Sequence, residues 1–529
     1  MTKAFYASTA LTRFPRGFDN TSTSAGAITV RDMSPNTNVS GDEMLKRSPD
    51  SAAMVDYWDQ TDTIIDGIKA LRLAREKYLP KFVDEDEKEY DFRVNATKLT
   101  NVYRDIIEGL ASKPFEEEIS LVTSDKEGSK VIPQQITEFI EDVDGSGNNL
   151  TVFSSGVFFN GINSAIDWIF VDFPTVDPSQ VRSVADAKAA GVRPFWSRVL
   201  GRNVLEAKTA MIGGKEVLTY MRIFEPGKPD HVRVFERNAT GVTWQLYVKT
   251  DRQSPNGKTM FVLEREGVIS IGVIPLVPFI TGRRDGRTFR IFPTMQDAAD
   301  LQIELYQQES GLKFVKIMAA YPMLAAQGVN PPVNADGTPK KLRVGPGVVL
   351  YGKPNADGKA GTWAFVEPSA NTMKFLADDV KSTIENLREI GRQPLTAQSS
   401  NVTVINSAVA AGKARTAVGA WALQLKDALE NALVLTCQWL NIKDYSPEVN
   451  VYTEFDDFAD GNADLTELGN ARRAKDLSRY TYWAELKRRK VLAPEFDAEA
   501  EDERLLEELP AEGLDDAEDD NKSKPPIAA

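Results

Sequence analysis

The chain has little of the side-chain chemistry on which enzymes and metal sites depend. Its 529 residues include one cysteine, Cys437, and one histidine, His231. A single cysteine excludes an intrachain disulfide and a thiolate metal cluster. Cys437 lies in an apolar helical pattern, which is typical of a small core residue. His231 is the only possible base for a Ser-His-Asp or Cys-His arrangement, but it follows a turn sequence, GKPD, where a solvated turn histidine is the usual interpretation.

Long apolar segments are also missing. The most apolar run, Gly267–Ile280, is too short to span a membrane and contains two prolines. The N-terminal sequence lacks the continuous apolar core of a signal peptide. These two absences predict a protein of the reducing cytoplasm with no membrane partner.

Positive charge is in deficit. Lysine and arginine total 63 against 77 aspartates and glutamates, so the formal net charge is −14, and the acid is concentrated in residues 84–89 and 497–520. Tight binding to a phosphate backbone needs basic groups that displace counterions, so an acidic surface opposes it. Such a surface is still compatible with nucleic acid that slides past.

Two stretches resemble ligand-binding motifs, but each lacks residues that its motif requires at fixed positions. In NSAVAAGKARTA, the pair Gly412–Lys413 resembles the end of a phosphate loop. Ser407 stands where that loop needs its first glycine, and Ala414 where it needs Ser or Thr. The turn Asp142–Phe153 resembles the opening of a calcium loop, but its twelfth position is Phe rather than a bidentate Glu. We therefore predict no catalytic residue, no metal and no cofactor.

The hydrophobic patterning predicts an α+β fold. Amphipathic helical segments occupy much of residues 51–162, and short β-rich runs between turn residues fill 195–280. Helices are then predicted over Pro293–Ala320 and Ser369–Ile390, with a Gly/Pro/Lys-rich β segment between them. A polar loop precedes a last long helix, predicted from Ala408 to Leu440.

This order of elements resembles the portal protein family of tailed bacteriophages, which form the ring at the capsid vertex through which DNA enters and leaves. The stretches that carry the resemblance are LREIGRQPL, TAQSSNVTVINSA, the helix from Ala408 and ARRAKDLSRYTYWAELKRRKVLAPEFDAEAEDERL. It covers roughly residues 51–509. No catalytic signature defines the family, so the resemblance rests on architecture.

The resemblance implies a division of the chain into the parts of a portal subunit. In chain order these are a mobile arm (1–50), a wing of helices and antiparallel sheet (51–292), a stem helix (293–320), a clip (321–366), a second stem helix (367–393), a tunnel loop (394–407), a long wing helix with its return (408–461), a helical crown (462–509) and a disordered acidic tail (510–529).

The resemblance also implies which residues meet DNA or a partner. The DNA-facing tunnel-loop residues would be Gln398, Ser399, Ser400, Asn401, Thr403 and Asn406. The channel-lining residues of the first stem helix would be Asp297, Asp300, Glu304, Lys313 and Lys316. The clip residues that bind an adaptor or terminase would be Lys340, Lys341, Arg343, Lys353 and Lys359. Lys413 and Arg415 would make contacts between subunits. For the charged residues, an ordinary solvated surface remains the alternative.

A portal subunit would act together with other components. The expected partners are further copies of the chain in a ring, usually of twelve, double-stranded DNA bound without sequence specificity, a terminase that hydrolyses ATP, adaptor or tail proteins and the major capsid protein. The expected location is the virion, after assembly in the host cytoplasm. Two alternatives stay open: another structural virion protein, such as a head-completion or scaffold-like protein, and a phage nucleic-acid enzyme built around His231.

Overall fold

A computed structural model describes most of the chain. The described residues are 28–31, 38–125, 128–129, 131–174, 192–239, 241–253, 259–320, 323–327, 338, 362–366, 370–392, 416–453, 461–488, 491–493 and 496–507. They combine helices with antiparallel sheets, which confirms the α+β class. Contacts divide the chain into two units, Met1–Phe455 and Asp456–Ala529. No described helix is both long enough and apolar enough to cross a membrane.

The described helices of the first unit fall into an early group and a late group. The early group is α1 (Gly41–Met44), α2 (Pro49–Asp66), α3 (Ile68–Ala74), α4 (Glu87–Ala96), α5 (Val102–Ser112), α6 (Gln134–Ile140) and α7 (Leu150–Ser164). The late group is α8 (Gln296–Ala320), α9 (Ala370–Arg392) and α10 (Ala417–Trp439).

The described strands form one large sheet and several small ones. In chain order they are β1 (Ile28–Arg31), β2 (Asn38–Ser40), β3 (Ser120–Leu121), β4 (Ser124–Asp125), β5 (Gly128–Ser129), β6 (Ile166–Asp172), β7 (Phe195–Leu200), β8 (Val204–Ile212), β9 (Lys215–Glu225), β10 (Lys228–Asn238), β11 (Gly241–Gln253), β12 (Thr259–Ile269), β13 (Leu276–Ile280), β14 (Arg283–Arg284), β15 (Ile291–Phe292), β16 (Met323–Gln327), β17 (Thr362–Val366) and β18 (Val449–Asn450).

The large sheet is an antiparallel meander. Its order is β1-β12-β11-β10-β9-β8, so each strand from β8 to β12 pairs with the next one along the chain, and β2 also pairs with β12. Alternate residues such as Met221, Ile223 and Phe235 are buried, as expected where one face of a sheet packs on a core. The β-rich runs of the sequence predicted this sheet correctly.

The N-terminal region differs from the mobile arm expected over residues 1–50. Strand β1 pairs with β12 in the register Ile28↔Ile269, and β2 pairs with the same strand at Met260↔Ser40. Ser48 then caps α2 by accepting a hydrogen bond from the Ser51 N–H. The expectation is therefore wrong for residues 28–31 and 38–50, because an edge strand offers backbone groups that an apparently unpatterned segment can pair with.

A second, three-stranded sheet with the order β13-β6-β7 lies in the centre of the first unit. Every residue of β6 is buried, which fits the predicted buried strand. Helices α7 and α10 both pack on β6. The Trp439 indole of α10 donates to the Val171 carbonyl at 3.2 Å. Cys437 is buried here as expected, and burial raises the pKa of its thiol to about 11, so the thiol stays protonated.

Helix α10 starts later than the sequence suggested. Its first turn is capped by the Thr416 hydroxyl, which accepts from the Gly419 N–H at 3.0 Å, and Thr416 itself has extended backbone angles. The predicted start at Ala408 is therefore wrong for this helix. The alanines before Thr416 have a high helix propensity, but the hydroxyl cap of Thr416 fixes the N-terminal start of α10.

The second unit is helical in its described part, as the sequence predicted for residues 462–509. It contains α11 (Gly461–Arg473), α12 (Arg479–Arg488) and α13 (Ala498–Glu507). Arg479 pairs with Asp502 at 2.6 Å, which joins α12 to α13. The Trp483 ring packs edge-on against Tyr480 and Phe496.

Candidate functional site: the α8–α9 helix pair and the hairpin before it

Helix α8 is held to the helical body by a buried glutamine. Gln302 accepts from the Tyr103 N–H at 2.9 Å and donates to the Thr100 carbonyl at 3.0 Å. Tyr103 lies in the first turn of α5, where backbone N–H groups have no partner within the helix. One side chain of α8 therefore satisfies a buried backbone N–H at the start of α5 and fixes the rotation of α8 about its axis.

Two further contacts extend this anchored side along α8. Glu309 accepts from both the backbone N–H and the hydroxyl of Thr100, close to the positive end of the α5 dipole. Beside it, the Thr97 hydroxyl donates to the Ser310 hydroxyl at 2.9 Å, and Arg93 donates to the same oxygen at 3.3 Å. The anchored side of α8 thus has a continuous row of polar contacts.

The first half of α8 exposes an acidic face, which we define as Asp297, Asp300 and Glu304. The sequence predicts that these residues share one face, and they lie exposed on one uninterrupted helix. The hydrogen-bond donors to this face are neutral amides. Asp300 accepts from Gln60 at 2.8 Å and from Gln296 at 3.0 Å, and Glu304 accepts from Gln308 at 3.2 Å. In the described part of the chain, no ion pair neutralises this face.

Lys313 and Lys316 do not continue the acidic face. A helix turns about 100° per residue, so Lys313 points about 160° away from Asp297 and Lys316 about 100° away. Lys316 is exposed and Lys313 is half-buried. Their assignment as channel-lining residues stays a prediction.

Helix α9 packs beside α8 and against α5. Leu387 is buried on its inner side, and Gly391 lies so close to Ile106 that a β-carbon there would come within 2.6 Å of the Ile106 side chain. Glycine is therefore required by close approach rather than by backbone angle. Between the two helices, β16 and β17 pair in the register Met323↔Val366, which fits the predicted β segment.

The remaining predicted site residues fall outside the described part of the chain. These are the tunnel-loop residues Gln398, Ser399, Ser400, Asn401, Thr403 and Asn406, the clip residues Lys340, Lys341, Arg343, Lys353 and Lys359, and the intersubunit candidates Lys413 and Arg415. Their assignments stay predictions.

Sequence reasoning missed a cluster of arginines in front of α8. Residues 281–292 contain four arginines and one acid, and they form the β14–β15 hairpin with the register Arg283↔Phe292. We call the exposed residues Arg283, Arg287 and Arg290 the arginine cluster. The guanidinium of Arg283 lies 4.7 Å from the centre of the Phe292 ring, and that of Arg290 lies 5.4 Å from the same ring.

The inner side of this hairpin is fixed to the body. Arg284 makes two hydrogen bonds to the Glu216 carboxylate, at 2.6 and 3.1 Å, and stacks over Phe289 at 4.5 Å. The hydrogen bond from Arg284 lowers the pKa of Glu216, so the pair is ionised at neutral pH. At the base, a β-carbon on Gly282 would come within 2.6 Å of the Phe292 carbonyl oxygen, so the two strands can close only with glycine there.

Two other candidates from the sequence lie in the described part of the chain, and the solvated turn position expected for His231 is wrong, because this residue pairs with Val248 within the sheet. His231 is half-buried on β10, and burial together with Lys228 lowers the pKa of its imidazole, so it is neutral near pH 7. In the turn after α6, Asp142 accepts from the Gly147 N–H at 2.9 Å, and Asp144 accepts from the Ser146 N–H at 2.9 Å. These carboxylates close the turn. Across the described residues, no group of three or more His, Cys, Asp or Glu side chains could hold a metal ion.

Comparison with known proteins adds a match over the helix pair. Residues 294–440 match a family model described as a domain of unknown function, DUF4055. That segment runs from the residues just before α8 to the end of α10, so it spans α8, the β16–β17 hairpin, α9 and α10. No curated protein matches the sequence.

Two solved structures resemble parts of the chain. One is a chain from the neck of a native GTA particle, computed with C12 symmetry, with 12% identity, a TM-score of 0.37, and coverage of 73% of this chain and 89% of that one. The other is from the virion of a native gene transfer agent (GTA) particle, with 10% identity, a TM-score of 0.36, and coverage of 86% and 96%. At these identities and TM-scores the likeness assigns no function to this chain.

Proposed function

We propose that this chain is the subunit of a ring-forming portal protein of a tailed-phage-like particle. In this proposal the ring conducts double-stranded DNA during packaging and ejection and has no catalytic activity of its own. A separate terminase supplies the ATP hydrolysis. Adaptor or tail proteins and the major capsid protein bind the outside of the ring.

The observation that carries the proposal is the acidic face of α8. Its three carboxylates are exposed, unpaired with cations among the described residues, and held at a fixed rotation by the Gln302 contacts on the opposite side. In a closed ring each carboxylate would repeat once per subunit and form a stack of negative rings. Such a wall repels phosphates, so DNA would pass without adhering.

The order of elements around that face supports the same function. Two helices, α8 and α9, lie side by side, and the chain between them contains the paired strands β16 and β17, as the stem and clip of a portal subunit require. The predicted clip lysines belong to the segment between β16 and β17. A cationic segment of this kind would suit an acidic adaptor or terminase surface.

Negative-stain imaging of the purified full chain tests this function. We expect an open ring with a central hole wide enough for a DNA duplex. Particles without a central hole would instead favour another structural virion protein, such as a head-completion protein. A stable monomer with nuclease or ATPase activity would favour the enzyme alternative and overturn the proposal.

A further inference from the structure

We infer that the arginine cluster of the β14–β15 hairpin is a binding surface for the phosphate backbone of nucleic acid. This surface is separate from the acidic face of α8, and the inference does not depend on whether the chain forms a ring. It concerns a surface that holds DNA, whereas the proposed channel wall repels it.

The geometry of the hairpin places its arginines together on the outer surface. Arg283 and Phe292 are cross-strand partners, so their side chains share one face of the two-stranded ribbon, and Arg290, two residues before Phe292, shares it as well. Arg287 is exposed in the connecting turn. Arg283 and Arg290 thus lie close together on one face, and Arg287 adds a third positive charge in the turn of the same short ribbon, so their mutual repulsion has to be overcome unless an anion is bound.

The described structure supplies no such anion from within the chain. The Glu216 carboxylate accepts two hydrogen bonds from Arg284 on the inner side, and the charge of Arg287 acts on it more weakly. Asp285 is the one acid in the hairpin sequence, and no ion pair among the described residues joins it, or any other carboxylate, to the arginine cluster. In a chain with a net charge of −14, an unneutralised cluster of this kind is an exception to the general surface.

Phosphate is favoured because of how the guanidinium groups are held. Arg283 and Arg290 both stack near the Phe292 ring, which limits their side-chain freedom while leaving N–H edges for an incoming oxyanion. A planar guanidinium matches the oxygens of a phosphate with two parallel hydrogen bonds. A ribbon carrying several such groups can bind successive phosphates of one strand.

A protein partner fits this surface less well. The cores of protein–protein interfaces are depleted of charge and contain fully buried apolar groups. The exposed side of the hairpin offers one partly exposed aromatic ring, Phe292, with the guanidinium groups of Arg283 and Arg290 beside it. An acidic polypeptide could pair with the arginines, so the experiment must separate the two classes of partner.

The test uses the purified full chain and a short fluorescent DNA duplex of arbitrary sequence, with binding followed by anisotropy at several salt concentrations. The variant R283Q/R287Q/R290Q removes three positive charges and changes the net charge from −14 to −17. We expect it to bind DNA at least about tenfold more weakly at low salt. The slope of log K against log salt should become shallower by about 0.9 for each phosphate that the variant no longer neutralises.

A matched control removes three exposed lysines from residues 69–98. The variant K69Q/K88Q/K98Q also carries a net charge of −17, and we expect it to bind DNA almost as the unmodified chain does. If the control and the hairpin variant reduce the affinity equally, the effect is one of total charge and the inference fails. It also fails if neither variant changes DNA binding.

Two further measurements keep the result interpretable. The single variant R287Q changes an exposed turn residue, so it tests the surface even if the triple variant unfolds. We expect the slope of log K against log salt to change by about 0.9, the value for one phosphate.

Polyglutamate is the competing probe. If it binds in a cluster-dependent way while DNA does not, the partner is an acidic protein and the inference is overturned. The mass of the same sample shows independently whether a ring has formed, so failure of this inference can be told from failure of the proposed function.

Discussion

The acidic face of α8 and the arginine cluster have opposite charge and lie next to each other in the chain. Three residues separate β15 from α8. Each surface is exposed, and among the described residues neither is neutralised by an ion pair with a group of opposite sign. Two neighbouring segments that could have paired with each other instead present their charges to the outside.

Both surfaces are fixed from behind by side-chain contacts with the rest of the first unit. Gln302 and Glu309 hold α8 to the start of α5, and Arg284 holds the hairpin to Glu216. A charge that serves only solubility does not need a rigid support, because a mobile solvated side chain performs that role equally well. The comparison therefore teaches that each charge is presented in a defined direction, as the proposed repulsion of phosphate by one surface and attraction by the other require.

The largest expected effect comes from reversing the acidic face. The variant D297K/D300K/E304K replaces three repulsive charges by three attractive ones, so it should bind a DNA duplex more tightly, on the order of 100-fold at low salt. Both surfaces would then attract phosphate, and the contrast between them would vanish. Fluorescence anisotropy against a salt series measures the change.

The control for that reversal places the same charges elsewhere. The variant E108K/E118K/E141K changes three exposed glutamates of the early part of the chain and alters the net charge by the same amount. We expect a much smaller gain in DNA affinity. An equal gain in both variants would mean that the acidic face has no special position.

A smaller effect is expected when the support of the acidic face is removed. The variant Gln302→Ala leaves the buried Tyr103 N–H without its partner, whereas the Thr100 carbonyl keeps the Val102 N–H, so the free energy of unfolding should fall by about 2 kcal/mol. Glu304→Gln, on the exposed side of the same helix, should change it by less than about 0.5 kcal/mol. Denaturant unfolding of both variants provides the measurement, and similar values for the two would show that α8 is not anchored through Gln302.

The smallest effect is expected at the support of the hairpin. Glu216→Gln breaks a partly exposed ion pair with Arg284 and should reduce stability by about 0.5–1 kcal/mol at neutral pH. The pKa of Glu216 is lower in the folded chain than its ordinary value, so its contribution is complete above that ordinary value and disappears as the pH falls through the folded pKa. The difference in melting temperature between the two chains should therefore shrink on acidification below about pH 4. A difference independent of pH would exclude the ion pair as its cause.

The sequence predicts the long elements well, because periodicity over many residues outweighs local irregularity. The helix predicted over residues 293–320 is found at Gln296–Ala320, and the next helix, predicted to end near Ile390, ends at Arg392. The wholly buried β6 is also predictable, since a run of apolar residues closed by Pro174 has few other interpretations. The shared face of Asp297, Asp300 and Glu304 follows from the same helical spacing.

Features that depend on distant partners cannot be predicted in this way. The role of Gln302 depends on Thr100 and Tyr103, about 200 residues earlier in the chain, and β1 gains its conformation only from β12. The arginine cluster does leave a signal, four arginines and a phenylalanine in the eight residues 283–290. The pattern of that stretch indicates only a boundary between sheet and helix. Strands of two residues are too short to show the alternation that predicts a β-hairpin.

The mass of the purified full chain in solution tests the central claim most directly. Multi-angle light scattering should give a particle near twelve times the 58.5 kDa of one chain, if the acidic face repeats around a portal ring. A mass that stays at that of a single chain over a wide range of protein and salt concentrations would contradict the proposed ring.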